Sequence, residues 1–517
     1  MTKQSFLRGT LILILAGLAT RVLGFLNRIV MARILGEEGV GLYMMAVPTF
    51  ILAITITQLG LPVAIAKLVA EAEARKEPHK VKKILSVSLS ITLSLSIVFT
   101  IAISLAAPII SKMLLTDART YYPLIAILPV VPIIAISSVL RGYFQGKQNM
   151  KPGALSQVLE QVVRITLIAV CIRAFLPFGI EFAAAGAMIS AAAGELVSLA
   201  YMLYIFKGEK HIPLTSHFLQ TVQNSKATFQ SLMSIALPTT GSRLIGSISY
   251  FIEPIVIVQS LAIAGVTTSI ATKQYGELNG YALPLLFLPS FITYALSTSL
   301  VPSVSEAMAK KNHVLVEYRL QQALRLSFLS GGWSVVILYV FANPIMTLMY
   351  GTDHAAIYVK VLAPCFLFYY FQGPLASVLQ ALDLAKAAMY NSFIGTVVKI
   401  IVIFALASRP EFQIMGVALA IATGLLVVTF LHYATLLKKI TFTIYARDYI
   451  YGMLAIFLAG VVGFSCNLYT FSSSLGIQTL LSIVITSFVY ATLLIVFRLI
   501  RKEELQRFSL LRFGFLK

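Results

Sequence analysis

Stretches of about 20 apolar residues, the length a helix needs to cross a bilayer, recur along this entire 517-residue chain with only short polar segments between them. No other feature constrains the fold as much. In hydrocarbon every backbone N–H and C=O must find a partner within its own helix or in a closed barrel, and continuous apolar runs of this length specify the helix. The runs fall near residues 10–34, 41–68, 84–111, 121–144, 154–175, 182–206, 229–262, 278–303, 319–347, 356–383, 389–407, 413–437, 446–468 and 476–499. They predict an all-α polytopic membrane protein of about 14 transmembrane helices. With 58% hydrophobic and 12% charged residues and a mean hydropathy of +0.89, no polar stretch is long enough to fold as a separate soluble domain. The first run is too long, and too interrupted by arginine, to be a cleaved signal peptide, and it reads as a retained span.

Orientation follows from the basic residues. An even number of spans puts both termini on one side, together with "EARKEPHKVKK" (73–83), "RGYFQGKQNMK" (141–151), "KGEK" (207–210), "AKK" (309–311), "KK" (438–439) and "RLIRKEELQR" (498–507). That side holds about 27 of the 40 Lys and Arg, and the positive-inside rule makes it, and both termini, cytoplasmic. The net charge of +20 is then explained by the anionic inner leaflet and calls for no nucleic acid.

Catalytic chemistry finds no footing. Cys171, Cys365 and Cys466 lie in or at the ends of apolar runs without CxxC spacing, so neither a disulfide framework nor a thiolate metal site is indicated. The histidines are scattered, and no HExxH, GxSxG or P-loop occurs. The expectation is a protein that is not an enzyme and takes no cofactor or metal.

The second half of the chain echoes the first. Thr20-Arg21-Val22-Leu23-Gly24 is answered by Ser242-Arg243-Leu244-Ile245-Gly246, and "VPTFILAITITQLGLPVAIAK" (47–67) by "LPSFITYALSTSLVPSVSEAM" (288–308). In the same order, "SVLRGYFQGKQNM" (138–150) is answered by "SVLQALDLAKAAM" (377–389) and Val163-Arg164-Ile165 by Val398-Lys399-Ile400, while Gly186 and Gly194 match Gly416 and Gly424. The expected organisation is an N-lobe of six spans over 1–210, a C-lobe of six over 226–440, two extra helices over 446–500 and a cytoplasmic tail over 501–517. Six spans per lobe is an even number, so the lobes share one topology, the parallel-repeat arrangement of transporters whose substrate sits between the halves.

Charges inside the spans point to the cargo. A central arginine costs about 3 kcal/mol on the insertion scale, yet the first span carries Arg21, Arg28 and Arg33. Arg21 and Arg28 are seven residues apart, which places them within about 20° of each other on a helix, on a face shared with Gly17 and Gly24. Arg33, near the span end, reads as a snorkelling side chain. Arg21, Arg28, Arg164, Arg243 and Lys399 are the candidate substrate-binding residues. Glu160, Glu195 and Glu253 are candidates for ion coupling or for charge partners, and Glu160, one turn before Arg164, makes a structural ion pair an equal alternative there. The surplus of deep positive charge favours an anionic substrate, since guanidinium suits phosphate oxygens, and a phosphate attached to a lipid tail is a natural cargo for lobes that part sideways.

"GEEGVGLYMMAVPTF" (36–50), "TQLGLPVAIAKLVAE" (57–71) and "ISSVLRGYFQGKQNMKP" (136–152) resemble the stage V sporulation protein B group, in the polysaccharide-transporter branch of the multidrug, oligosaccharidyl-lipid and polysaccharide exporter superfamily. The resemblance runs through all fourteen spans. It implies a flippase of endospore-forming bacteria serving spore cortex peptidoglycan, with lipid II or a related undecaprenyl-linked saccharide as cargo, membrane lipids as surroundings and peptidoglycan synthases as candidate partners. The related MurJ-type lipid II flippases carry an arginine before "VLGF" in their first helix, which Arg21 matches; their arginine pair in helix two has no counterpart in "FILAITI" (50–56). Two other functions stay open, a cation-coupled drug extruder and a non-transporting scaffold of the wall-synthesis machinery.

Overall fold

A computed structural model of the chain describes residues 6–208, 225–440, 443, 445–469 and 472–500, with side chains from residue 16 onward and without that of residue 242. The expected tail, 501–517, lies outside the described residues, as do residues 209 and 210 of the run 207–210 and most of the basic run 498–507. Every regular element among the described residues is helical. Among the described residues twelve helices are long and apolar enough to cross a membrane, and a thirteenth span is assembled from two pieces bent by 53°. The first of the twelve, Ala16–Ala74, holds two of the spans read from the sequence, which restores the expected fourteen.

That doubling has a local cause. Helix α1, Phe6–Gln58, runs through the first span and into the second with one residue of non-helical backbone, Gly36, at φ 71° and ψ 176°. A positive φ is strained for residues with a Cβ and open to glycine. Gly60, at φ 61°, then starts α2, Leu61–Ala74, with Pro62 in its first turn. The next helices are α3 (Pro78–Ile109), α4 (Tyr121–Ile127), α5 (Val130–Gly146), α6 (Lys151–Phe175), α7 (Ile180–Lys207) and α8 (Lys226–Ile263). The eighth span is the broken one: α9 (Thr268–Tyr275), a π-helical stretch (Gly276–Ala282) and α10 (Leu283–Phe287), then α11 (Ser290–Ala309) beyond Pro289. The remaining helices are α12 (His313–Val340), α13 (Ala342–Tyr350), α14 (Ala356–Ala381), α15 (Ala385–Ala407), α16 (Gln413–Leu437), α17 (Ala446–Leu468) and α18 (Leu475–Val496). Helix ends follow side-chain chemistry where they meet water: the Asn312 side chain accepts a hydrogen bond from the Leu315 N–H at 3.0 Å and so caps α12.

The described chain forms two compact units, Met1–Gly280 with Ser408–Ile414 and Tyr281–Ala407 with Met415–Lys517. In the first, α2, α3 and α5 share a core around Leu61, Ile65, Val69, Ile84 and Tyr143, and α8 reaches it through Leu232 and Ala236. The seventh span, which opens the second half of the sequence repeat, thus packs within the first unit. In the second unit one core gathers Leu300, Val304, Leu320 and Val378, and another sets α12 against α17 and α18 through Phe328, Ala455, Ala459 and Tyr490. The opposite faces of α17 and α18 stay apolar and uncovered, with Phe457, Phe464 and Phe488 all more than half exposed. A membrane protein presents such a surface because lipid, as apolar as Leu, is its solvent.

Candidate functional site

Three groups of polar side chains gather inside the first unit, on helices that are otherwise apolar.

The first is the stripe on α1. Arg21 is exposed and Arg28 half-buried. Between them, Gly24 faces α6, so that a Cβ there would stand 3.7 Å from Gln161 Oε1. Asn27, next to Arg28, is buried, and its Oδ1, like Gln161 Oε1, accepts no hydrogen bond from another described residue. Two buried acceptors without donors leave positions to be filled by water or by the hydroxyl groups of a ligand. Arg28 and Glu253 of α8 both lie within electrostatic reach of the Tyr250 phenol, with Tyr43 and Tyr275 beside them. The fold therefore brings together two predicted residues, Arg28 and Glu253, from spans one and seven, and surrounds them with tyrosines that sequence reading had not singled out. Arg243 stands exposed on α8.

The second group joins α5, α6 and α7. Arg164 donates from Nη2 to Glu160 Oε1 at 2.9 Å, Arg141 Nη2 lies 3.9 Å from Glu160 Oε2 and 3.6 Å from Glu195 Oε2, and Arg141 also donates to the Ser198 hydroxyl at 3.4 Å. Two arginines and two glutamates form one neutral array. Glu160 and Glu195 are both more than nine-tenths buried, where an uncompensated charge would be costly. The sequence pairs Arg164 with Glu160 through their i,i+4 spacing, but it counts Arg141, at the end of the 121–144 span, among the basic residues of the cytoplasmic side. In the structure Arg141 is in α5, one and a half turns before its end, with its head turned in among the acids. Two deep carboxylates with a single arginine near them were the signal for a missing cation.

The third group ties helix ends together on the side opposite the α2–α3 connection. Arg119 bridges Asp117 at 2.9 Å and Glu38 at 2.8 Å, and Thr272 of α9 donates to Asp117 Oδ2 at 2.8 Å. Lys273 holds Glu37 at 3.1 Å and stands 3.9 Å from Glu277. Here α1 and α9 touch backbone to backbone: a Cβ on Gly41 would run into the Thr272 carbonyl, and one on Gly276 into that of Glu37. None of these residues stands out singly in the sequence, but adjacent Glu37 and Glu38 beside the helix-breaking Gly36 require cations from other spans, and Arg119 and Lys273 are there.

Lys399 belongs to the second unit. It is half-buried on α15, and a Cβ on Gly424 of α16 would come within 3.1 Å of its own Cβ. The first unit makes the same contact at the repeat-related positions, where a Cβ on Gly194 would lie 3.5 Å from that of Arg164. Gly186 likewise meets Cys171, and Gly416 meets Leu406 and Ala407.

Long apolar helices, a charged array at membrane depth and a basic stripe on the first span define a multi-pass membrane protein. Its fold is that of solved exporters: a structure of the lipid II flippase MurJ in an inward closed conformation superposes with a TM-score of 0.71 at 16% identity, over 94% of this chain and 98% of the other. An inward-facing transporter of the multidrug resistance MATE family, in the MOP superfamily, gives 0.63 over 85% and 95%. The family model described as "Polysaccharide biosynthesis protein" matches residues 6–308, and the MatE model matches 279–405. Stage V sporulation protein B of Bacillus subtilis (strain 168) is 59% identical over 512 residues, 99% of each chain, and the lipid II flippase MurJ of the same organism is 24% identical over 448 residues, 81% of this chain and 80% of that one. The chain belongs to the polysaccharide biosynthesis protein family, in the group that includes stage V sporulation protein B.

Proposed function

We propose that the protein is a flippase that moves a lipid-linked anionic saccharide, a lipid II-like peptidoglycan precursor, across the cytoplasmic membrane by alternating access, in the service of spore cortex synthesis. The observation that carries this reading is how the deep charges are distributed. Glu160 and Glu195 are paired with Arg141 and Arg164, so the α1 stripe of Arg21 and Arg28, with Arg243 and a single acid, Glu253, on α8, keeps the positive surplus. An anion is the complementary ligand, and the orphaned acceptors Asn27 Oδ1 and Gln161 Oε1 beside the stripe suit saccharide hydroxyls. The relatives named for sporulation and for lipid II flipping support the cargo class. A cation-coupled drug extruder needs an unpaired deep carboxylate; Glu160 accepts a hydrogen bond from Arg164, and Glu195, whose Oε2 accepts none from a described residue, stands 3.6 Å from Arg141. Because Arg164 is already engaged by Glu160, its binding role consists in steering the anion, with Arg21 and Arg28 as the direct ligands.

Two six-helix lobes, 1–210 and 226–440, carry the cycle in this reading. The repetition of the Gly194–Arg164 contact as Gly424–Lys399 and of the Gly186 contact as Gly416 supports a duplication, since equivalent helices meet at equivalent glycines in both halves. Peptidoglycan synthases, as consumers of the flipped precursor, are the expected protein partners.

The deciding experiment is reconstitution. Proteoliposomes containing the full chain should expose a fluorescent undecaprenyl-pyrophosphate saccharide to a membrane-impermeant reagent faster than protein-free vesicles do. Exposure no faster than in the empty vesicles would leave a scaffold role in place of transport. The topology has its own test. Lys76 is exposed in the α2–α3 connection, and a cysteine placed there should resist an impermeant maleimide applied to intact cells and react once the cells are opened. Ready labelling in intact cells would invert the orientation.

A further inference from the structure

Away from the α1 stripe, the first unit has a groove of about 600 Å³ between α3 and the start of α8, with Leu59 also in its lining. That is within the range of about 300–1,000 Å³ typical of small-ligand clefts. Its walls are mainly apolar, among them Leu95, Phe229 and Met233, but four polar residues line it: Ser90, Ser94, Ser225 and Lys226. Hydroxyls in membrane helices usually bond back to a carbonyl one turn earlier. On the buried face of α3 Thr92 bonds to Ser88 O at 2.9 Å and Ser96 to Leu93 O at 2.8 Å, whereas the Ser86 and Ser88 hydroxyls make no hydrogen bond with another described residue. Ser90 and Ser94, one turn apart on the groove side, make no hydrogen bond with another described residue. Two idle donors on a lipid-facing wall, with an ammonium group in the same groove, are poorly matched to bare hydrocarbon and well matched to a molecule carrying ester carbonyls next to a phosphate.

We infer that this groove is a binding site for an anionic glycerophospholipid, with the phosphate on Lys226, the ester carbonyls accepting from Ser90 and Ser94, and an acyl chain along Leu95, Phe229 and Met233. The serines choose between the two lipid classes available. An isoprenoid carrier has a phosphate and a chain but no ester carbonyl, so it would satisfy Lys226 and leave both hydroxyls idle. The site lies away from the α1 stripe and would tie the packing of α3 and α8 to the anionic lipid content of the membrane.

The test uses the fact that Trp333 is the only tryptophan in the chain. In the full-length Trp333→Phe, Phe229→Trp protein, the new indole reports from the groove wall. In mixed vesicles its fluorescence should be quenched more by phosphatidylglycerol brominated in its acyl chains than by the matching brominated phosphatidylcholine. The expected preference is about five-fold, the equivalent of about 1 kcal/mol for one lysine at an anionic surface. Adding Lys226→Glu should abolish the preference and Lys226→Arg should keep it, while Ser90→Ala with Ser94→Ala should weaken quenching by both phospholipids. Equal quenching by the two lipids, or a preference that survives Lys226→Glu, would overturn the proposal. So would relief of quenching by unlabelled undecaprenyl phosphate at a mole fraction below that of the brominated lipid, which would assign the groove to an isoprenoid.

Discussion

Arg21→Glu abolishes translocation of an undecaprenyl-pyrophosphate saccharide in proteoliposomes, Arg21→Ala slows it by on the order of 10- to 100-fold, and Arg21→Lys keeps a measurable part: this order is the expected result if the guanidinium holds a pyrophosphate. A hydrogen bond to a charged group contributes about 1.5–3 kcal/mol, which sets the alanine effect. Lysine preserves the charge but loses the planar fork that meets two phosphate oxygens at once. Glutamate sets like charges against each other. Protein level in the membrane has to be measured alongside. An arginine that only supports the fold would lower the amount of the alanine variant, with transport per molecule unchanged. Normal translocation by a well-accumulated Arg21→Glu protein would remove the anionic cargo from this position.

The second large effect is expected at the array joining α5, α6 and α7. Glu160→Ala strands Arg164 and leaves Arg141 with Glu195 alone. Deleting one partner of a buried pair costs about 3–5 kcal/mol, and the lower figure is expected here because both arginine heads keep about a fifth of their surface. The thermal midpoint in detergent should fall by several degrees. Glu160→Met combined with Arg164→Met removes one charge of each sign, leaves Arg141 facing Glu195, and should recover most of that loss. The double variant then separates two roles of Arg164. If the restored fold still transports slowly, Arg164 steers the anion; if transport returns with the fold, it serves only the array. An unchanged midpoint for Glu160→Ala would show that the array is not a buried unit.

The spans were legible in the sequence because hydrocarbon leaves the backbone no alternative to the helix, and composition alone then marks each crossing. Connections were less so. Nothing in "RILGEEGVG" (33–41) announces that one glycine can join two spans, because the same letters fit a short polar loop. Pro289, where span eight bends, looked harmless because membrane helices tolerate proline when neighbours re-satisfy the freed carbonyls. At the candidate site, pairs within one helix were readable, as Glu160 and Arg164 show. Pairs between helices were not: Arg119 with Glu38, Lys273 with Glu37 and Arg141 with Glu195 depend on which spans are neighbours, and charge counting alone leaves that undetermined. Tyr43, Tyr250 and Tyr275 were hidden for a related reason, since a tyrosine in an apolar run looks like an interfacial anchor until the helix opposite brings an arginine and a glutamate.

The corner at Gly36 also bears on how the chain enters the membrane during synthesis. Alone, the first span, with Arg21, Arg28 and Arg33, would partition poorly from the translocon into lipid, at about 3 kcal/mol for each arginine near the centre. With a single residue between them, the first and second spans have no slack to be released one after the other. They must leave as a hairpin, in which the largely apolar stretch from Val40 to Gln58 offsets the charges of its partner. The arginine-bearing first span is thus inserted on the hydrophobicity of the next one, and lengthening the corner with a flexible linker would expose the first span to rejection by the bilayer.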